Sequence, residues 1–203
     1  MVTLVDYGMG NLRSVAKAFE VCGSRVRITS DPKDILAAEK IVLPGVGAFG
    51  AAISELKKRK LVRPIREAIE KGVPYLGLCL GLQLLFETSE EGAAGKKVKG
   101  FGIIPGSVKK FKGNFKIPHM GWNTVRFKKK GCPLFRGVGS GAYFYFVHSY
   151  YALPKDRSVL SADTSYGGFF CSALWKDNIY ATQFHPEKSQ AAGLRIIKNF
   201  IAL

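Results

Sequence analysis

Tyr75-Leu76-Gly77-Leu78-Cys79-Leu80-Gly81-Leu82-Gln83-Leu84-Leu85-Phe86 opens as an apolar run after Pro74, the pattern of a buried strand. Beyond Gly81 it continues in good helix formers, which predicts a helix from Gly81 to Phe86. A strand, a sharp turn and a helix with Cys79 at the apex form the layout of a nucleophile elbow, with Cys in the Ser position of Gly-x-Ser-x-Gly. The chemistry accounts for the glycines, because a strained turn needs neighbours without Cβ where two segments pass closely. The first turn of the following helix then aims backbone N–H groups at the nucleophile, which favours a thiolate. A Cys in an apolar run is also an ordinary small core residue, so the rest of the chain has to supply a base.

Upstream, Val2 to Val5, Val26 to Thr29 and Lys40 to Leu43 read as strands. Between them lie a helix carrying Leu12, Val15, Ala16, Phe19 and Val21, with Asn11 as N-cap, and a short helix starting at Ser30-Asp31-Pro32. This β-α-β-α-β alternation predicts a parallel sheet with helices on both faces. Pro44-Gly45-Val46-Gly47-Ala48-Phe49-Gly50 is then a glycine-rich loop at the C-terminal end of a strand, where open α/β sheets build their sites. Residues 51–59 and 61–71 read as helices, and 92–100 as a polar, mobile surface loop. Gly8-x-Gly10 lacks the third glycine of a dinucleotide loop, and no cofactor is expected.

Downstream, short β-like runs at 102–111, 121–128, 142–151, 158–163, 169–175 and 179–184 are expected to complete the sheet and add an antiparallel section. A final helix over 191–202 presents Leu194, Ile197, Phe200 and Ile201 as its apolar face. At 203 residues one core can still grow, so residues 1–203 are expected to form one domain.

Composition narrows the class. Hydrophobic residues make up 47% and charged residues 23%, as in a globular protein, and no apolar stretch approaches the ~18 residues of a membrane span. The N-terminus shows no basic segment followed by a long apolar core, so no signal peptide is expected. Cys22, Cys79, Cys132 and Cys171 have neither zinc-site nor disulfide-scaffold spacing, which suggests reduced thiols in a cytoplasmic protein, with no metal. The net charge is +16, which would suit nucleic acid, a membrane surface or an acidic protein. The lysines are scattered and carry no nucleic-acid motif, so neither nucleic acid nor membrane is expected as a partner.

Three histidines compete to be the base. His185 lies in Gln183-Phe184-His185-Pro186-Glu187-Lys188-Ser189 at a strand end, two residues from a carboxylate. In an extended chain residues i and i+2 point the same way, and Pro186 biases His185 towards extended backbone, so Glu187 can orient the imidazole. A surface His–Glu pair is the plain alternative. His148, in the aromatic run Phe144 to Tyr150, is the rival base or a cavity-wall residue. His119 stands in Pro118-His119-Met120-Gly121-Trp122-Asn123, where an exposed Met-Gly-Trp would suit a protein interface and a core Trp122 is the equal alternative.

Taken together, Gly77-Leu78-Cys79-Leu80-Gly81-Leu82-Gln83 and His185-Pro186-Glu187 resemble the class I (triad) glutamine amidotransferases. The stretches Asp6 to Leu12, Pro44 to Gly50, Pro118 to Asn123 and His185 to Ser189 resemble one branch of that class, the histidine-biosynthetic glutaminase subunits that pass ammonia to a separate (β/α)8-barrel cyclase. The resemblance implies a flavodoxin-like, mostly parallel central sheet with flanking helices and an additional antiparallel section. It implies Cys79 as nucleophile, His185 as base and Glu187 as its orienting partner. Leu80 would supply the first oxyanion N–H, and the Gly45-Val46-Gly47 loop, at Val46 or Gly47, the second. Gln83, Glu91, Ser149 and Tyr150 would hold glutamine, while Met120, Gly121, Trp122, Asn123 and Lys188 would meet the cyclase. The alternatives are the glutaminase of another amidotransferase, or a cysteine peptidase of the same fold. Peptidase relatives carry His directly after the nucleophile, where Leu80 stands here.

Overall fold

The computed structural model describes residues 1–92 and 96–203. In its first half, β1 (Val2–Val5), α1 (Leu12–Val21), β2 (Val26–Thr29), α2 (Pro32–Leu36), β3 (Ile41–Gly45), α3 (Phe49–Lys58), α4 (Val62–Glu70), β4 (Tyr75–Cys79) and α5 (Leu80–Gln83) follow in order. The second half is mostly strand: β5 (Phe86–Ser89), β6 (Val98–Lys99), β7 (Ile104–Lys110), β8 (His119–Thr124), β9 (Arg126–Phe127), β10 (Tyr143–His148), β11 (Tyr150–Pro154), β12 (Leu160–Ser165), β13 (Phe169–Lys176) and β14 (Ile179–Thr182). Helix α6 (Gln190–Ile201) ends the chain. Among the described residues no helix is long and apolar enough to cross a membrane.

The main sheet runs β2-β1-β3-β4-β14-β13-β11-β7-β5-β6, with β12 attached at β13 and β9 at β12. From β2 to β14 every pairing is parallel, as the βα alternation predicts. Beyond β14 the pairings are antiparallel except for β5 with β7. A separate antiparallel pair, β8–β10, supplies the additional β section.

Side-chain alternation splits the core into two layers. Ile41 and Leu43 of β3 join a cluster with Ile65 and Ile69 of α4 and Phe49 and Leu56 of α3. The intervening Val42, with Leu76 and Leu78 of β4, joins Phe19 of α1 and Phe200 of α6 on the opposite side. Phe19 and Phe200 meet edge-to-face at 6.3 Å, and burying each such ring contributes roughly 1.5–3 kcal/mol.

Three sequence expectations need correction. The helix expected over 81–86 is a single turn ending at Gln83, and Phe86–Ser89 is a strand. The returning chain takes the carbonyls that a longer helix would need: Phe101 N–H donates to Leu84 O, and Ile103 and Ile104 N–H donate to Leu85 O. The run 142–151 is two strands in two sheets, because β10 pairs with β8 and β11 pairs with β7, with the break at Ser149. On α6 the buried face is Gly193, Ile196, Ile197 and Phe200, with Leu194 and Ile201 at its margins. The mobile loop expected over 92–100 falls partly on 93–95, outside the described residues, while Val98–Lys99 pairs with Thr88–Ser89.

Candidate active site

Parallel register assembles the site. Gly45 of β3 lies opposite Cys79 of β4, and on the other side Thr182 of β14 lies opposite Leu78. The three chains therefore leave the sheet side by side, which brings the glycine loop, Cys79 and the Gln183–His185 segment to one edge. Cys79 adopts φ 51°, ψ −100°, a left-handed conformation unusual for a non-glycine residue, and α5 starts at the next residue. A Cβ on Gly77 would stand 2.5 Å from Gly81 O, and one on Gly81 would stand 1.9 Å from Leu43 O, so the elbow closes only with glycine at both positions.

Cys79 Sγ lies 3.4 Å from Gln183 Nε2 and 3.9 Å from Val147 O. It faces a cavity of about 360 Å³ whose wall includes Val46, Gly47, Leu80, Gln83, Glu91, Ser149 and Tyr150. A wider cleft of about 1040 Å³ runs along α1, and of the sequence candidates it touches Glu187 but neither Cys79 nor His185.

His185 is 3% exposed. Its N–H donates to Tyr145 O, and its own carbonyl accepts from Ser189 Oγ. Nδ1–H donates to Glu187 Oε1 over 2.8 Å. The alignment differs from the expected extended i, i+2 pair: His185 is extended, but Pro186–Lys188 forms a 3-10 turn that folds Glu187 back under the ring. Gly193 makes room for this turn, since a Cβ there would stand 2.0 Å from Pro186 O. The ring's Nε2 has no hydrogen-bond partner among the described residues, and the Cys79 sulfur acts on the ring through its charge. Burial works against the imidazolium, but the Cys79 charge and the Glu187 contact outweigh it and raise the His185 pKa to about 10.

His148, the rival base, is disposed in the opposite way. Its Nδ1 lies 2.8 Å from Tyr150 O, its Nε2 lies 2.9 Å from His119 Nδ1, and burial lowers its pKa to about 3. It is a neutral part of the cavity wall.

The remaining sequence candidates divide into two groups. Gln83 is buried and spends its amide on Tyr150 O and Gln183 Oε1, and Glu91 accepts from Phe49 N–H at the start of α3. Leu80 supplies the first N–H of α5, which has no intrahelical partner. Gly47 has φ +92°, and Val46 is exposed beside it. Met120, Gly121, Trp122, Asn123 and Lys188 are not at the cavity. Met120 is 57% and Trp122 46% exposed on β8, which removes the core reading of Trp122. Trp122 packs edge-to-face on Tyr145 at 6.2 Å, and Lys188 Nζ lies 5.7 Å from that same ring.

Two residues at the site lie outside the candidates that the sequence singled out. Gln183 bridges Gln83 and Cys79, a contact that only the β4–β14 register creates. Tyr7 is fully buried; its hydroxyl has no hydrogen-bond partner among the described residues and stands 2.4 Å from where a Cβ on Gly45 would lie. Burial, followed by the Cys79 charge, pushes its pKa upward.

Residues 3–203 match the family model described as glutamine amidotransferase class-I. The imidazole glycerol phosphate synthase subunit HisH of Syntrophotalea carbinolica is 51% identical over 207 residues, covering 98% of each chain. The HisH subunit of Moorella thermoacetica is 51% identical over 98% of this chain and 93% of its own, and HisH 1 of Methanococcus maripaludis is 48% identical over the whole of both. The structure of PurLQS from Thermotoga maritima superimposes with a TM-score of 0.77 at 17% identity, over 99% of this chain and 97% of that one, a likeness of fold alone.

Proposed function

The chain belongs to the class-I glutamine amidotransferase family, and from that premise we propose that it is the glutaminase subunit of an imidazole glycerol phosphate synthase. It hydrolyses glutamine to glutamate and ammonia and hands the ammonia to a barrel cyclase subunit in histidine biosynthesis. The observation that carries the mechanism is the elbow Cys79 beside a His185 whose far nitrogen donates to Glu187.

Cys79 passes its thiol proton to His185 and attacks as a thiolate, the competent nucleophile. The sulfur attacks the side-chain amide carbon of glutamine. The negative oxygen that develops is met by Leu80 N–H and by a backbone N–H of Val46 or Gly47. Collapse of the tetrahedral intermediate breaks the C–N bond, and His185 gives its proton to the leaving nitrogen, releasing ammonia and a glutamyl thioester. Neutral His185 then takes a proton from water as the water attacks the thioester, which frees glutamate and leaves on His185 the proton that returns to the sulfur. Glu187 holds the ring in one orientation throughout. Gln83, Glu91, Ser149 and Tyr150 bind the glutamine, and Met120 to Asn123 with Lys188 meet the cyclase. Ammonia at neutral pH is mostly protonated and non-nucleophilic in water, which is the reason to transfer it under cover. A cytoplasmic setting suits this chemistry.

Glutamate release by the purified chain, alone and with the barrel cyclase carrying its ligand, tests this reading. Strong stimulation in the loaded complex is expected. Equal turnover with and without the cyclase would point to another amidotransferase, and turnover that survives Cys79→Ala would remove the triad.

A further inference from the structure

His119 and His148 are both buried, and neither takes part in the proton transfers above. Their hydrogen bonds admit one arrangement of protons. His148 Nδ1 faces the carbonyl of Tyr150, which can only accept, so Nδ1 carries the proton. Burial lowers the pKa of His148 to about 3, so the ring is neutral and its Nε2 is a bare acceptor. His119 Nδ1, 2.9 Å away, must then donate, and His119 Nε2 is bare in turn, since burial lowers that pKa to about 4. Asn123 Nδ2, 3.2 Å away, supplies the matching N–H. The orientation of the Asn123 amide is fixed independently: its Oδ1 accepts from Thr124 N–H and its Nδ2 also donates to Ser165 O. The chain Asn123→His119→His148→Tyr150 therefore has one direction, determined from both ends.

Its end point lies in the cavity. Tyr150 O also accepts from Gln83 Nε2, Gln83 Nε2 donates to Gln183 Oε1, and Gln183 Nε2 reaches Cys79 Sγ. One carbonyl thus joins the histidine pair to the amides around the nucleophile. Aromatic packing holds the rings in place: His119 stacks between Tyr166 at 4.0 Å and Phe146 at 4.8 Å, and His148 lies against Phe170 and Phe111.

We propose that His119 and His148 are positioning residues for glutamine, a single-tautomer pair that fixes the Tyr150 carbonyl and, through it, Gln83 and Gln183 beside Cys79. This deepens the glutaminase reading and rests on it. A pair that merely filled the core would affect stability without affecting substrate affinity.

The test combines nitrogen NMR of the histidine rings near neutral pH with kinetics of the complex with the barrel subunit, loaded with imidazole glycerol phosphate. Both rings are expected as neutral Nδ1–H tautomers. His148→Phe keeps the ring packing and removes the donor to Tyr150, so KM for glutamine should rise about tenfold, the worth of roughly one hydrogen bond, while kcat changes less than about threefold. His119→Phe should raise KM in the same direction by a smaller factor. His119→Asn should recover most of that loss, because its amide N–H stands where Nδ1–H stood. Should His148→Phe fail to fold, the tautomers and the two His119 variants decide. An Nε2–H or doubly protonated ring at either position would overturn the proposal. So would an unchanged KM in folded variants of a wild-type complex that turns over normally. A wild-type complex that hydrolyses no glutamine, although Cys79 is alkylated, would instead remove the glutaminase reading on which the pair depends.

Discussion

Cys79 holds a backbone conformation that suits its chemistry better than its stability. A non-glycine residue at φ 51°, ψ −100° carries strain of order 1–3 kcal/mol, which glycine relieves. Cys79→Gly is therefore expected to be more stable than Cys79→Ala by about 1 kcal/mol in chemical denaturation, the reverse of the usual order, with both variants inactive. Equal or reversed stabilities would show that the elbow is unstrained. The charge of Cys79 should also be readable on its neighbour. With His185 raised to about 10, its ring should stay protonated across the neutral range in the NMR titration of the wild type. In Cys79→Ser the midpoint should fall, because the sulfur's charge is gone and only Glu187 remains to offset burial. A histidine whose folded pKa exceeds its unfolded value of about 6.5 stabilises the fold below that value, and the contribution is lost as pH rises through about 10. Because the unfolded chain keeps the Cys79 thiol proton up to about 8.5, the loss of melting temperature in the wild type should fall between about 8.5 and 10.

Among the elements, the elbow depends on two glycines for steric reasons, and their replacement can be compared with that of a glycine in open space. Gly81→Ala would drive a Cβ to 1.9 Å from Leu43 O, so β4 or α5 must shift, at a cost of about 3 kcal/mol or more, with loss of glutamine hydrolysis. Gly72→Ala, at φ +87° with nothing within 4 Å of the added carbon, should cost only about 1 kcal/mol and leave activity intact. Similar urea midpoints for the two variants would refute the close packing of the elbow. The same elements show what was legible in the sequence. The apolar run Ile41 to Leu43 and the helical spacing of Ile65, Ala68 and Ile69 reflect local burial, and the parallel sheet followed from the alternation of such strands and helices. The fate of Leu84 and Leu85 was not local, because residues 101–104, well along the chain, take their carbonyls. Nor was the break at Ser149, since an aromatic run looks alike whether it feeds one sheet or two. At the site, Cys79, His185 and Glu187 lie in short motifs and could be read directly. Gln183 could not, because its contact with Cys79 arises from the register of two strands about a hundred residues apart.

For the whole molecule, the charge of +16 and the exposed Met120 and Trp122 belong to one question, how the chain meets its partner. Trp122 faces Tyr145 across the β8–β10 pair, with Lys188 over that ring and His185 only three residues from Lys188. Lys188, a proposed cyclase contact, therefore sits on the same short segment as the proposed base. Large exposed aromatics beside a charged rim are where binding energy concentrates, and replacing such a residue typically costs 2 kcal/mol or more, roughly thirtyfold in affinity. Trp122→Ala should weaken binding to the barrel subunit by at least about tenfold in titration calorimetry. Being 46% exposed, it should move the melting temperature of the isolated chain by no more than about 2 °C. A net charge this large should also speed association with an acidic face, so the association rate should fall as salt rises, while the Trp122 loss should appear mainly in the dissociation rate and persist at high salt. An association rate indifferent to salt would assign the lysines to solvation of the surface instead. A large drop in melting temperature for Trp122→Ala would return that side chain to the fold's own stability and move the docking face elsewhere.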